Sequence, residues 1–221
     1  LNNNHIIPIL SGGTGLYVQS LLENYNFNDI KPNTKLRIEL DELYTEYGVD
    51  GLREYAQNLA EKGGIEIKYT DKHRLYRAIE LMTAGDYKSL IKQTKEGLSY
   101  KGPVIGLQRE RSDLYDRINR RVEIMFEKGL VDEVKQLLKN GVNPNCQAFK
   151  GIGYKEVVQY LEGLISYDAC VDLIQKNTRH FAKRQITWYK RMPYIEWIII
   201  DSQTTEAEIY GMACNIIDSS F

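Results

Sequence analysis

A chain of 221 residues, with 43% hydrophobic and 27% charged residues, can bury the core of one large domain or of one domain with an insertion. No apolar run approaches the roughly 20 residues that cross a bilayer, and the N-terminus lacks the basic flank and apolar stretch of a secretory signal. These features exclude a membrane-spanning class. We therefore expect a cytoplasmic protein that has no membrane partner.

The net charge of -1 conceals an uneven distribution along the chain. Residues 101–191 hold 17 Lys and Arg against 11 Asp and Glu, whereas residues 192–221 hold five acids and no Lys or Arg. A polyanion responds to local charge, so a basic face remains available. Cys146, Cys170 and Cys214 are too far apart for a local metal knuckle, and we expect reduced thiols.

Three short apolar runs, bounded by turn residues, predict buried strands. They are residues 6–11 (IIPILS), 103–107 (PVIGL) and 197–200 (WIII). The intervening sequence has mostly helical periodicity, which favours a parallel sheet covered by helices. Residues 31–68 differ, because they predict two tandem helices interrupted at Gly48. We expect these helices to form an insertion on the α/β core.

Residues 11–17 (SGGTGLY) follow the first predicted strand and lead into a predicted helix over residues 16–22. Gly12, Gly13 and Gly15 would let the backbone approach a ligand, next to the free N–H groups of a helix start. Thr14 would project its hydroxyl into the same crevice. The alternative is a tight turn from strand to helix, in which Thr14 caps the helix.

Residues 108–121 follow the second predicted strand, and Ser112 is the predicted N-cap of a helix. Arg117 and Arg121 then lie one turn apart on the same side, and Arg111 lies just before the cap. Guanidinium groups at a strand end suit a phosphate or diphosphate. The alternative is a solvated helix surface on which neighbouring acids pair with these arginines.

Residues 166–192 predict a long helix with two different sides. The side predicted to be buried consists of Cys170, Ile174, Phe181, Trp188 and Met192. The basic side consists of Lys176, Arg179, His180, Lys183, Thr187, Lys190 and Arg191, with Arg184 at its edge. A helix of this kind fits a phosphate backbone, whereas an ordinary exposed face mixes both signs of charge.

Two smaller clusters combine bases with aromatic rings, which suits single-stranded RNA. Residues 70–77 (TDKHRLYR) would open a helix, and residues 148–156 (AFKGIGYKE) would form a glycine loop.

The motifs GGTGLY, DKHRLYRAIEL, RSDLYDRINRRVEIMFEKGLVDEV, IGYKE and NTRHFAKRQITWYKR, in this order, resemble the tRNA dimethylallyltransferases. The resemblance implies transfer of the dimethylallyl group of dimethylallyl diphosphate to the exocyclic amine of the adenosine 3′ of the anticodon. It also implies Mg²⁺, nucleotide binding and the tRNA anticodon stem-loop as partner. The implied fold is α/β, a P-loop-kinase-like parallel sheet core, incomplete here, with a helical insertion and a largely helical C-terminal part.

The resemblance also implies roles for individual residues. Thr14 would hold the acceptor adenine, and Arg111 and Arg117 would grip the diphosphate. Gly12, Gly13, Gly15 and Arg121 complete the expected substrate site. The expected tRNA contacts are Arg37, His73, Arg74, Arg77, Lys150, Gly151, Gly153, Tyr154, Lys155, Arg179, Lys183, Arg184, Gln185, Lys190 and Arg191. His73 stands where many relatives have Gln.

The sequence departs from the family at its start. It contains neither a GPTASGKT-type phosphate loop nor the Asp that would act as general base. We therefore expect an N-terminally truncated chain that is inactive alone, a monomer, and no metal ligand within it. We divide it into residues 1–30, with the core strand and crevice, 31–69, the insertion, and 70–221, the remainder of the core. The alternatives are an adenylate dimethylallyltransferase acting on AMP and a non-catalytic RNA-binding module.

Overall fold

The computed structural model describes residues 7–25, 29–91 and 98–220. The chain divides into two units. One consists of Leu1–Val18 with Tyr100–Phe221, here named the sheet unit, and the other of Gln19–Ser99, here named the helical unit. Helix α1 (Gly15–Leu22) begins in the first and ends in the second.

The helical unit is built on two helices, α2 (Thr34–Lys62) and α3 (Lys72–Thr83), which pack against each other. The side chain of Asn33 caps α2 by accepting from the backbone N–H of Leu36 at 3.2 Å. Gly48 interrupts α2 with φ 66° and ψ -156°, so the predicted break at this residue is confirmed. The core of this unit includes Leu40, Leu52, Leu75 and Ile79, all with at most 2% of their surface exposed.

The sheet unit contains four consecutive helices between its two strands. They are α4 (Arg111–Glu127), α5 (Leu130–Lys139), α6 (Tyr154–Leu161) and α7 (Tyr167–Tyr189). A separate core joins them, and its most buried members are Val122, Val134, Val157, Cys170 and Ile174. Burial raises the pKa of the Cys170 thiol to about 11, which keeps this thiol protonated at neutral pH.

Strand β1 (Val104–Arg109) pairs in parallel with β2 (Ile195–Ile200), in a register that runs from Val104 opposite Ile195 to Arg109 opposite Ile200. Helix α8 (Glu206–Asp218) follows and contacts β2. Two predicted strands and their parallel arrangement are therefore confirmed. The predicted α/β class with a largely helical C-terminal part is confirmed as well.

The strand predicted at residues 6–11 is wrong over the described residues 7–11, which have no regular structure. Ile7 and Ile9 are 77% and 92% exposed, so this apolar run is not buried. A strand forms only when another strand satisfies its backbone groups, and no described segment pairs with this one. None of the described helices is long and apolar enough to cross a membrane.

Candidate RNA and diphosphate sites

The glycine-rich loop over residues 11–15 lies against helix α7. The side-chain amide of Gln185 donates to the carbonyl oxygen of Gly13 at 2.8 Å. A Cβ at Gly13 would lie 2.4 Å from that amide nitrogen, and one at Gly15 would lie 2.3 Å from the indole ring of Trp188. A side chain at Gly15 would therefore have to displace the indole ring, whereas one at Gly13 would have to displace only the flexible end of Gln185. Gly12 has open space around it.

Thr14 immediately precedes α1 and is exposed. Its carbonyl oxygen accepts the backbone N–H groups of Tyr17 and Val18 at 3.0 and 3.2 Å, so Thr14 starts the helix through its backbone. The predicted helix over residues 16–22 is thereby confirmed with one extra residue. An exposed Thr14 at a helix N-terminus can meet a polar ligand.

The C-terminal half of α7 and the two residues that follow it carry cations that have no acidic partner among the described residues. Lys183, Arg184, Lys190 and Arg191 are exposed, and no carboxylate of the described ranges lies within ion-pair distance of any of them. The Arg184 guanidinium lies 5.8 Å from the ring centroid of Phe181. Unpaired, exposed cations retain their full attraction for phosphate. This part of the helix is therefore not the ordinary exposed face with charges of both signs.

A groove of about 460 Å³ runs beside these cations. Its lining consists of His180, Lys183, Arg184, Thr187, Trp188 and Arg191. It combines positive charge with an indole ring, the composition that suits an RNA backbone with an unstacked base.

The predicted buried side of α7 holds only in part. Cys170, Ile174 and Met192 are buried, but Phe181 is 44% exposed, so its predicted burial is wrong. The first half of α7 packs against α4 and α6, and this packing explains the burial of Cys170 and Ile174. Arg179 differs from the other bases because its guanidinium donates to the side chain of Asn119.

Helix α4 starts directly after β1, as predicted, but its N-cap is Glu110 and not Ser112. One carboxylate oxygen of Glu110 accepts the backbone N–H groups of Ser112 and Asp113 at 2.6 and 3.2 Å. A carboxylate offers more acceptor capacity than a hydroxyl at a helix N-terminus. The hydrogen bonds from Ser112 and from the Asp113 N–H hold the pKa of Glu110 below its ordinary value.

The predicted diphosphate arginines are exposed and unpaired. Arg111, Arg117 and Arg121 have no carboxylate within ion-pair distance among the described residues, and Arg111 lies 5.1 Å from the ring centroid of Tyr115. Arg117 and Arg121 share one side of α4. Arg111 and Arg117 are about 9 Å apart along the axis and point to different sides. They could therefore hold an anion only between their extended side chains.

Arg109, which was not among the predicted site residues, joins the start of α4 to the end of β2. Its guanidinium lies 2.7 Å from the carboxylate of Asp113 and donates to the carbonyl oxygen of Asp201 at 2.7 Å. Asp113 is thus paired with Arg109 and leaves Arg111 and Arg117 free of it. The i,i+4 spacing of Arg109 and Asp113 is the sequence signal that could have indicated this pair.

In the helical unit, the predicted RNA contacts Arg37 and Arg77 both bind one buried carboxylate. The Glu80 side chain is 1% exposed and accepts from Arg37 Nε at 2.7 Å, from Arg77 Nη1 at 3.2 Å and from the Asn33 backbone at 3.0 Å. Burial raises the pKa of Glu80, but these hydrogen bonds outweigh it, and the net shift is downward. Arg37 remains 43% exposed at its side chain. Its role as an RNA contact stays a prediction, as it does for Arg77 and for the exposed His73 and Arg74.

The glycine loop before α6 is fixed by Glu156. Its buried carboxylate accepts from the Gly153 backbone at 2.8 Å and from the Asn177 side chain at 2.8 Å. Gly153 has φ 103°, a conformation that favours glycine. Tyr154 is half-buried and donates to Glu133. By contrast, the remaining predicted contacts are exposed: Lys150, Gly151 and Lys155.

Within the described ranges, no three His, Cys, Asp or Glu side chains come together to hold a metal ion. The expected Mg²⁺, and the expectation that this chain holds no ligand for it, both stay predictions.

The structure is thus that of an α/β protein with a parallel strand pair, a glycine-rich loop held on α7, and exposed cations that have no acidic partner among the described residues. The comparisons identify the family. The chain belongs to the IPP transferase family, which matches residues 1–192.

Named relatives agree with this assignment. The chain is 38% identical to a tRNA dimethylallyltransferase of Clostridioides difficile strain 630, over 91% of this chain and 65% of the relative. It is 37% identical to a tRNA dimethylallyltransferase of Alkaliphilus metalliredigens, over 95% of this chain and 68% of that relative. This chain thus spans about two thirds of their length. The predicted family resemblance is confirmed.

Two solved structures are similar as well. One is the full-length tRNA isopentenylpyrophosphate transferase of Bacillus halodurans, with a TM-score of 0.59, 32% identity, and coverage of 94% of this chain and 65% of that one. The other is the tRNA delta(2)-isopentenylpyrophosphate transferase of Staphylococcus epidermidis, with a TM-score of 0.61, 31% identity, and coverage of 99% and 71%.

Proposed function

We propose that this chain belongs to an enzyme that transfers the dimethylallyl group of dimethylallyl diphosphate to the exocyclic amine of the adenosine 3′ of the tRNA anticodon. The observation that carries the proposal is the set of exposed cations at the C-terminal end of α7, for which the described part of the chain offers no acidic partner. The same helix holds the glycine-rich loop through Gln185. The names of the similar proteins support the same reaction and a tRNA substrate.

In the proposed reaction the amine forms a bond to the carbon that carries the diphosphate, and that carbon–oxygen bond breaks. The guanidinium groups of Arg111 and Arg117 would stabilise the charge that develops on the leaving diphosphate. Thr14 would orient the acceptor adenine through its exposed side chain. The proposal gives two roles to none of the described residues: the base that accepts the amine proton, and the ligands of Mg²⁺.

Within the sheet unit, the RNA would lie along α7 and contact the base-and-aromatic cluster at residues 148–156. Residues 70–77 of the helical unit are proposed separately as RNA contacts. Arg121 and the glycines of the crevice would complete the small-substrate site. A cytoplasmic location, a monomeric state and the three-part division of the chain at residues 30 and 69 belong to the same proposal.

The RNA face is tested by changing Lys183, Arg184 and Lys190 together to Gln. Binding of a labelled anticodon stem-loop is measured by fluorescence anisotropy at several salt concentrations. Each phosphate contact to single-stranded nucleic acid contributes about 0.7 to the slope of log affinity against log salt, so loss of three contacts should lower this slope by about 2. Affinity should fall most at low salt.

The matched control changes Lys128, Lys135 and Lys139 to Gln, which removes the same charge from exposed positions on another part of the sheet unit. This control should keep the salt slope within about half a unit of the unaltered protein. Equal slopes for the two triple variants would refute the RNA face. Preference for AMP over the stem-loop would instead support the adenylate enzyme.

A further inference from the structure

Gln185 lies among the predicted RNA-binding bases, yet its side chain is engaged elsewhere. Its amide donates to the carbonyl oxygen of Gly13, and Trp188, one turn further along α7, lies directly against Gly15. Both contacts fall on the loop that carries Thr14. At about 100° per residue, Gln185 and Trp188 are about 60° apart around the helix, whereas Lys183 is about 160° from Gln185. The side of α7 that holds the loop therefore adjoins the cations, because Arg184 is about 40° from Trp188 while Lys183 points away from Gln185.

We propose that Gln185 and Trp188 are positioning residues that hold the Thr14 loop on α7, so that the helix which binds the RNA backbone also sets the place of the acceptor base. This inference rests on the proposed function and deepens it. Gln185 then acts through Gly13 and does not contact the RNA, which changes the role expected for it from the sequence.

The close fit of this contact supports positioning over incidental packing. An added methyl group at Gly15 would overlap the indole ring of Trp188, and one at Gly13 would displace the Gln185 amide from its hydrogen bond. The indole Nε1 of Trp188 is buried and has no hydrogen-bond partner within the described part of the chain. A donor buried without a partner is costly and persists only where surrounding packing determines its place.

The fluorescence of Trp188 can also show whether the loop contacts α7, and this measurement needs no substrate. The protein has two Trp residues, and Trp197→Phe leaves Trp188 as the only one. In that background, Gly15→Ala must displace the indole, and exposure of Nε1 to water should shift the emission to longer wavelength. Gly12→Ala is the matched control for emission, because open space surrounds Gly12. Unchanged emission in Gly15→Ala would overturn the proposed contact.

Turnover and binding then separate positioning from RNA contact. In the complete protein that carries these residues, Gln185→Leu and Gln185→Met both remove the N–H donor without adding charge. Each should lower kcat about three- to tenfold, the fold-change that loss of one ordinary hydrogen bond allows, and leave stem-loop affinity within about twofold. Gln136→Leu, on the exposed side of α5, should change neither quantity.

Two results would overturn the assignment. If Gln185→Leu weakens stem-loop binding and leaves kcat unchanged, Gln185 is an RNA contact; if neither quantity changes, the hydrogen bond has no role. Should the Gln185 variants not fold, Gly13→Ala perturbs the same contact from the loop side and should lower kcat in the same way. Failure of the unaltered protein to bind the stem-loop would refute the proposed function, whereas the emission test would still decide the loop contact.

Discussion

The carboxylate of Glu80 is predicted to stabilise the helical unit more than any exposed charge does. Its side chain is 1% exposed and accepts hydrogen bonds from Arg37, Arg77 and the Asn33 backbone. Hydrogen bonds to a charged group contribute about 1.5–3 kcal/mol each when fully buried. The side chains of the two arginines are 43% and 33% exposed. If the Glu80 carboxylate is removed, water can therefore replace part of the hydrogen bonding that they lose.

We therefore expect Glu80→Ala to lower the free energy of unfolding by about 2–4 kcal/mol, less than the sum of its buried hydrogen bonds. Glu80→Gln keeps the volume and one acceptor oxygen, and should cost about 1–2 kcal/mol. Glu39→Gln, at an exposed position of α2, is the matched control and should remain within about 0.5 kcal/mol of the unaltered protein. Urea unfolding followed by circular dichroism measures all three.

The same carboxylate predicts a dependence on pH. The pKa of Glu80 in the folded chain lies below its ordinary value of 4.5. Its stabilisation is therefore present above that value and is lost as the pH falls toward the lower folded pKa. Glu80→Gln should remove this part of the acid sensitivity. If Glu80→Ala unfolds at the same urea concentration as Glu39→Gln, the arginines and Asn33 do not stabilise the unit through this carboxylate, and the reasoning is wrong.

Three further predictions concern the sheet unit. Ile174→Ala, at a position 1% exposed, should lower the free energy of unfolding by about 2–4 kcal/mol in urea titrations, and a loss below about 1 kcal/mol would contradict its place in the core. Gly153→Ala should destabilise the protein by about 1 kcal/mol or more, because φ at this residue is 103°. Gly211→Ala, inside α8, should instead stabilise the protein by roughly 0.5–1 kcal/mol. Similar melting temperatures for the two variants would refute the strain at Gly153. Arg111→Ala and Arg117→Ala should each weaken dimethylallyl diphosphate binding about tenfold or more in calorimetry while stem-loop affinity is kept, and loss of stem-loop affinity alone would reassign them to the RNA.

Local signals in the sequence were sufficient for most elements. Asn33 and Asp71 cap α2 and α3 with their own side chains, and Gly48 breaks α2 where the pattern indicated. Such signals act over a few residues, so they can be read without the fold. The exception at α4 is also local, because the Glu110 carboxylate accepts the N–H groups of Ser112 and Asp113 and so starts the helix two residues before the predicted cap.

The candidate site was predictable in its residue types but not in its partners. The sequence indicates that bases accumulate on one side of α7, but not that Phe181 is exposed while Ile174 is buried. It likewise could not reveal that Glu80 holds Arg37 across 43 positions, or that Gln185 reaches Gly13 across 172. Contacts at such separations depend on how whole helices pack, which no local spacing encodes.

The sequence by itself determined the helix break at Gly48, the two paired strands, the glycine-rich loop and the excess of cations along α7. Only the tertiary structure decided which charges stay unpaired, since pairing depends on distances between segments remote in the chain. It also decided that residues 7–11 are not a strand, because an apolar run becomes a strand only beside another one. The types of chemical group were thus predictable from the sequence, whereas their freedom to bind a ligand depended on which residues lie next to them in the fold.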